Sequence, residues 1–255
     1  MFKVIKYVVI DILRNKVVIG YTLCLLALSL SLFSLEDNVS KGLLSLLNII
    51  LILVPLVSII FSTIYIYNSS EFIELLLAQP IHRTRLILSI YAGLLLSLLI
   101  AFFLGVGIPV ILLAGSSTAY FMLLSGSMLT GIFVSLALLS SVYSRDKAKG
   151  IGVSVMLWFL FSLLYDGILL FIMFQFSDYS LENLMIVLSS LNPIDLARIL
   201  ILLKLDISAL MGYTGAVFSN FFGTNTGLIY SIFILSLWIV WPLFFAVRKF
   251  RKKDL

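Results

Sequence analysis

Residues 43–67 read LLSLLNIILILVPLVSIIFSTIYIY, an apolar stretch without a single charged side chain. At about 1.5 Å of rise per residue, a helix of this length exceeds the roughly 30 Å of hydrocarbon in a bilayer. Similar runs lie on either side, at Val17–Phe33, Leu86–Leu113, Ala119–Tyr143, Ile151–Phe176 and Thr226–Val247. Six membrane spans account for most of the 255 residues, and the composition agrees, with 62% hydrophobic and 11% charged residues. A soluble domain carries about 25% charged residues. The sequence therefore reads as one all-α, polytopic transmembrane domain over residues 1–255, with no room for a separate soluble domain. Pro55 and the Gly105-x-Gly107-x-Pro109 stretch predict irregularities in the second and third spans, because proline removes a backbone donor.

Lysine and arginine concentrate in cytoplasmic segments of membrane proteins. Six crossings put both termini on one side, together with fourteen basic residues: Lys3, Lys6, Arg14, Lys16, Arg83, Arg85, Arg145, Lys147, Lys149, Arg248, Lys249, Arg251, Lys252 and Lys253. Only Lys41, Arg198 and Lys204 fall opposite. Both ends are thus expected in the cytoplasm, and the basic excess reports topology rather than a nucleic-acid partner. Residues 2–16 place Ile5, Val8, Val9, Ile12 and Leu13 on one face with basic residues around it, which predicts an interfacial helix against membrane lipid. The run that follows is long for the core of a cleaved signal peptide. Residues 177–225 form the longest segment between spans and are expected outside. A helix is predicted there from Asn192-Pro193 through residues 194–205, with proline at its first position. Its apolar residues suggest that it lies on the membrane or against a partner.

Catalytic chemistry is hard to find. A nucleotide-binding loop needs a Gly-Lys pair to cradle phosphate, and the chain has none. The lone cysteine, Cys24, sits inside a span, the lone histidine, His82, lies in a loop, and Met122 and Met128 are not on one helical face. No metal or other cofactor is expected on this chain. The exception to the uncharged spans is Asp166, beside Tyr165 in FSLLYDGILLF. A charge at the centre of a membrane helix costs roughly 2.5–3.5 kcal/mol on insertion scales, which makes Asp166 a candidate for lining a cavity or outer gate. Nearer the boundary it would reach water, Tyr165 or a neighbouring helix.

The loop between the second and third spans reads NSSEFIELLLAQPIHRTR over residues 68–85. Ser69 or Ser70 can cap a short helix, Glu71 and Glu74 suit its N-terminal end, and Pro80 stops it. Phe72, Leu75 and Leu76 offer an apolar face to a groove in another protein. The pattern Glu71…Glu74-Leu75-Leu76-Leu77-Ala78-Gln79-Pro80-Ile81-His82-Arg83 resembles the first cytoplasmic loop of the ABC-2 type permeases. That resemblance implies a coupling helix over residues 69–80, in which Glu71, Phe72, Glu74, Leu75, Gln79, Pro80 and Arg83 engage a cytoplasmic ATPase subunit carrying ATP and magnesium. It also implies a homodimer in a bacterial inner membrane.

A narrower resemblance, to the permeases of nitrous-oxide reductase maturation transporters, rests on Tyr165-Asp166, on Asn192-Pro193-Ile194-Asp195-Leu196-Ala197-Arg198 and on Met211-Gly212-Tyr213-Thr214-Gly215-Ala216-Val217-Phe218. Ala197 departs from the usual phenylalanine-like residue there. This likeness implies a periplasmic β-helical partner docking at Asn192, Pro193, Asp195, Arg198, Gly212, Tyr213 and Thr214. A general ABC-2 exporter of a drug, lipid or polysaccharide, or a scaffold that translocates nothing, remains an alternative.

Overall fold

A computed structural model describes residues 2–36, 38–78, 82–176, 182–204 and 225–252. Among these residues the secondary structure is helical throughout. Helix α1 (Phe2–Leu13) is followed by α2 (Lys16–Leu35), α3 (Val39–Asn68) and the short α4 (Ser70–Leu77). Next come α5 (Arg83–Leu113), α6 (Ser117–Tyr143) and α7 (Lys147–Gln175). Helices α8 (Glu182–Ser190), α9 (Pro193–Lys204) and α10 (Asn225–Arg251) complete the order. The six helices long and apolar enough to cross a membrane, α2, α3, α5, α6, α7 and α10, coincide with the six predicted runs.

Helix α6 is the core. In its most apolar stretch 78% of residues are buried, against 22% in α2, 11% in α7 and 17% in α10. Small residues let neighbours close on it: a Cβ on Gly126 would come within 2.5 Å of the Phe102 ring. Helices α2, α7 and α10 instead leave large apolar side chains uncovered, including Leu23, Met156, Phe171, Phe233 and Phe244. In a bilayer such residues need no protein cover, since lipid tails are as apolar as leucine.

Helix α1 shows the expected amphipathic face. Val8 and Ile12 are buried and Ile5, Val9 and Leu13 half-buried, packed along α5 where Gly93 admits Val8. It ends at Leu13 rather than residue 16 because Asn15 caps the next helix, its side chain accepting the Val17 N–H at 2.9 Å.

Two of the spans contain a π-helical turn, at Phe103–Gly107 in α5 and Leu160–Leu164 in α7. The first has a legible cause. Pro109 has no N–H to give to the carbonyl four residues back, that of Gly105, and the Ser29 hydroxyl of α2 donates to this oxygen at 2.9 Å instead. Close approach is possible because position 105 is glycine: a Cβ there would lie 2.7 Å from Leu25 Cβ. The turn in α7 has no proline behind it and was not predicted.

Candidate functional site

Helices α8 and α9 form a hairpin that returns into the bundle, and this corrects the expectation of an external helix lying on the membrane or on a partner. Asn192, at the hairpin tip, donates from Nδ2 to the carbonyl of Phe161 at 2.9 Å, and Trp238 Nε1 donates to the carbonyl of Ser190 at 3.2 Å. Phe161 lies midway along α7 and Trp238 midway along α10, so the tip reaches the middle of two spans. Phe161 and Trp238 meet edge to face at 5.3 Å and form an aromatic seat beneath it. Helix α9 is buried nearly all round, from Ile194, Leu196 and Ala197 to Ile199, Leu200 and Ile201. That is the signature of a core helix rather than a surface one.

Asn192 organises the tip. Its Oδ1 accepts the N–H of Ile194 at 3.0 Å, making it the N-cap of α9, and Pro193 takes the first helical position, where no intrahelical donor is missed. The Asn192 Nδ2 also reaches Asp195 Oδ2 at 3.0 Å. The Phe161 carbonyl that it caps belongs to the π turn of α7. Both π turns therefore give a backbone oxygen to a side chain from another helix, Ser29 in one case and Asn192 in the other.

One turn along α9, Arg198 Nη1 donates to Asp195 Oδ1 at 3.1 Å and to Asp166 Oδ2 at 2.8 Å. Asp166, the one acidic residue within a predicted span, is thus paired across to the hairpin. Two carboxylates share one guanidinium, so the trio carries a net negative charge when all three are ionised. Side-chain exposures of 30% for Arg198 and 36% for Asp166 place this pair at an accessible edge, whereas the Asp195 side chain is 7% exposed. Tyr165 reaches the hairpin separately, its hydroxyl donating to the Leu188 carbonyl at 2.6 Å. Ser190 and Tyr230 share a hydrogen bond of 3.0 Å that ties the tip to α10.

These contacts revise the docking assignment. Asn192 is fully buried and Asp195 is 5% exposed, because their polar groups cap and brace α9 from within, and Pro193 is buried between them. Arg198 alone of that motif's predicted docking residues is partly open. Gly212, Tyr213 and Thr214 lie outside the described residues. Sequence reasoning missed Ser190, Tyr230 and Trp238, whose polar atoms in apolar segments were the available signal.

At the other end of the bundle, α4 follows α3 with Ser69 between them as its N-cap, without a side-chain capping bond. Ile73 is buried at 7% exposure and fastens the helix. Glu71, Phe72, Glu74 and Leu75 point outward, with Leu75 69% exposed. Leu76, expected on the same open face, is instead half-buried against the core, since it lies three residues beyond Ile73 on the anchored side. Arg83 begins α5, and Gln79 and Pro80 fall outside the described residues.

The end of α3 that carries α4 is tied to α6 and α7. Ser154 of α7 bonds at 2.7 Å to both Thr63 of α3 and Ser140 of α6, and all three hydroxyls are buried. The Tyr67 hydroxyl donates to the Ser144 carbonyl at 3.0 Å, and Lys147 Nζ donates to Asn68 Oδ1 at 2.7 Å. Gly150 makes room for Tyr67, since a Cβ there would fall 2.6 Å from its ring carbons. Helix α7 thus touches α3 near one end and the hairpin from its middle outward.

Comparison with known proteins supplies the remaining context. The family model described as ABC-2 family transporter protein matches residues 16–255, all of the chain beyond α1 and the loop after it. A curated protein of Pseudomonas aeruginosa, the probable ABC transporter permease protein NosY, is 30% identical over 180 residues. The match covers 66% of this chain and 66% of that protein, just under two thirds of its length.

Proposed function

The chain belongs to the ABC-2 family of transporter proteins, and we propose that it is the permease subunit through which a separate ATPase drives translocation, or a signal, across a bacterial inner membrane. The observation that carries this reading is α4, a short helix anchored by Ile73 that turns Glu71, Phe72, Glu74 and Leu75 outward between two spans. An exposed apolar pair flanked by carboxylates suits a groove in a partner with a basic rim. The ATPase binds here, with Gln79, Pro80 and Arg83 completing the contact, and holds ATP and magnesium itself.

Movement of α4 passes to the attached end of α3 and, through Thr63, Ser154 and Tyr67, to α6 and α7. Helix α7 then moves against the hairpin, where the Asp166–Arg198 pair serves as the outer latch. A second copy of the chain completes the path, as the resemblance of the 71–83 loop to ABC-2 permeases implies. Both termini lie in the cytoplasm, supported by the fourteen-to-three division of basic residues.

The finer assignment is to copper–sulfur centre assembly of nitrous-oxide reductase with a periplasmic β-helical partner. It is supported by the resemblance of the Asn192–Arg198 and Met211–Phe218 stretches and by the likeness to NosY. Because that likeness covers 66% of each chain while the family model spans residues 16–255, a general ABC-2 exporter is the second reading. Glu74→Lys tests the placement of the ATPase: the variant inserts normally but no longer co-purifies with its ATPase. Full co-purification and undiminished transport would refute it.

A further inference from the structure

Two cavities at the α4 end of the bundle share Tyr65 and Asn68 and differ in character. The first, about 350 Å³, runs along α3, where Leu56, Val57, Ile60 and Ile64 line up at helical spacing, with Val17 of α2 beside them. These side chains are half-buried or exposed and belong to apolar spans, so the groove opens at the depth of hydrocarbon. The second, about 260 Å³, has a mixed lining, with Tyr7, Asp11 and Ser69 beside Val8 and Phe72.

One carboxylate lines this path. Asn68, which lines both cavities, accepts a hydrogen bond at Oδ1 from Lys147 Nζ, although Lys147 itself lines neither. In the second cavity Asp11 Oδ2 accepts the Tyr65 hydroxyl at 3.1 Å, and among the described residues no lysine or arginine lies within ion-pair distance of its carboxylate. Along the two cavities a visitor meets an apolar trough, then the Asn68 amide that both share, then the Asp11 carboxylate.

A molecule complementary to that order has an apolar chain, then a hydrogen-bonding linkage, then a positive group. We propose that α1, α2 and the end of α3 bind a phospholipid with a primary-amine headgroup. Its acyl chain lies along the Leu56–Ile64 face, its phosphate by Asn68, and its ammonium on Asp11. An anionic headgroup lacking an amine meets Asp11 with repulsion. A choline headgroup keeps the charge but has no N–H to give to the carboxylate. The site lies beside Phe72 of α4, so an occupant also braces the hinge between α3 and α4.

The test uses the full-length chain purified in mild detergent. It is equilibrated with equal amounts of phosphatidylethanolamine, phosphatidylcholine and phosphatidylglycerol of identical acyl chains, and retained lipid is counted by native mass spectrometry. Wild type should retain the ethanolamine lipid about fivefold over each of the others, the scale of one partly exposed ion pair. Asp11→Asn should erase that preference, and Ile60→Trp, which fills the trough, should lower retention of all three. Equal retention by wild type, or an unchanged preference in Asp11→Asn, would overturn the proposal. If Asp11→Asn does not fold, successive N-methylation of the lipid offered to wild type decides: retention falls as N–H donors are lost, and a flat series refutes the site. Neither ATPase nor substrate is needed, so the outcome is independent of the transport reading.

Discussion

Replacing Arg198 by glutamine removes the one cation from a trio in which it bridges Asp166 at 2.8 Å and Asp195 at 3.1 Å. Two carboxylates are then left facing each other, one of them with a side chain only 7% exposed. Breaking a fully buried pair costs about 3–5 kcal/mol, and breaking an exposed one about 0–1. Since Arg198 and Asp166 are 30% and 36% exposed, solvent screens part of the loss. A cost of about 2 kcal/mol follows. For a chain of this size that corresponds to a fall in melting temperature of roughly 4–8 °C. Asp166→Asn in the Arg198→Gln background removes the carboxylate repulsion and should recover about half the loss, while Asp166→Asn alone is milder than Arg198→Gln. Thermal unfolding of the four proteins in one detergent, followed by intrinsic tryptophan fluorescence, closes the cycle, and Trp238 against the hairpin tip is a local probe. Additivity within about 0.5 kcal/mol would show that the groups do not act as a unit. It would refute the assignment of Asp166 as the hairpin's ionic anchor.

Two further substitutions probe the rest of the frame. Ser29→Ala strips the Gly105 carbonyl of the donor that stands in for Pro109; about 1–2 kcal/mol of stability should be lost, and a neutral result in thermal unfolding would mean the π turn does not need α2. Gly150→Ala pushes a methyl group into the Tyr67 ring and should cost about 1–3 kcal/mol or displace the ring. In membranes containing the partner ATPase it should also weaken the response of hydrolysis to transport, and intact coupling would argue against a path through α3 and α7.

The spans and their order were legible because lipid selects on composition: about 20 apolar residues in a row have few alternative readings. Position 109 announced the irregularity in α5 because proline's missing donor is written in the residue itself. The π turn in α7 had no such marker, since its freed carbonyl is satisfied by Asn192, thirty-one residues away. The stretch PIDLARILILLK misled for a related reason. Its apolar residues read as a face for lipid or a partner, but they pack into the bundle, and Arg198 spends a hydrogen bond on Asp166 of α7, which only the folded hairpin brings near. In α4, Phe72 and Leu75 face outward as read, while Leu76 does not, because an eight-residue helix must also keep something to hold on with.

The π turn at Leu160–Leu164 has a geometric corollary. A π turn accommodates roughly one residue more than an α turn, and each α-helical residue advances about 100° around the axis. Should the Phe161 carbonyl be released by Asn192 and the surplus residue absorbed, everything beyond it on α7 would turn by about that angle. Asp166 would swing off Arg198 and Tyr165 off the Leu188 carbonyl in the same motion. The helix is in this sense a screw with one thread left unwound, and the amide of Asn192 is the pin that keeps it there.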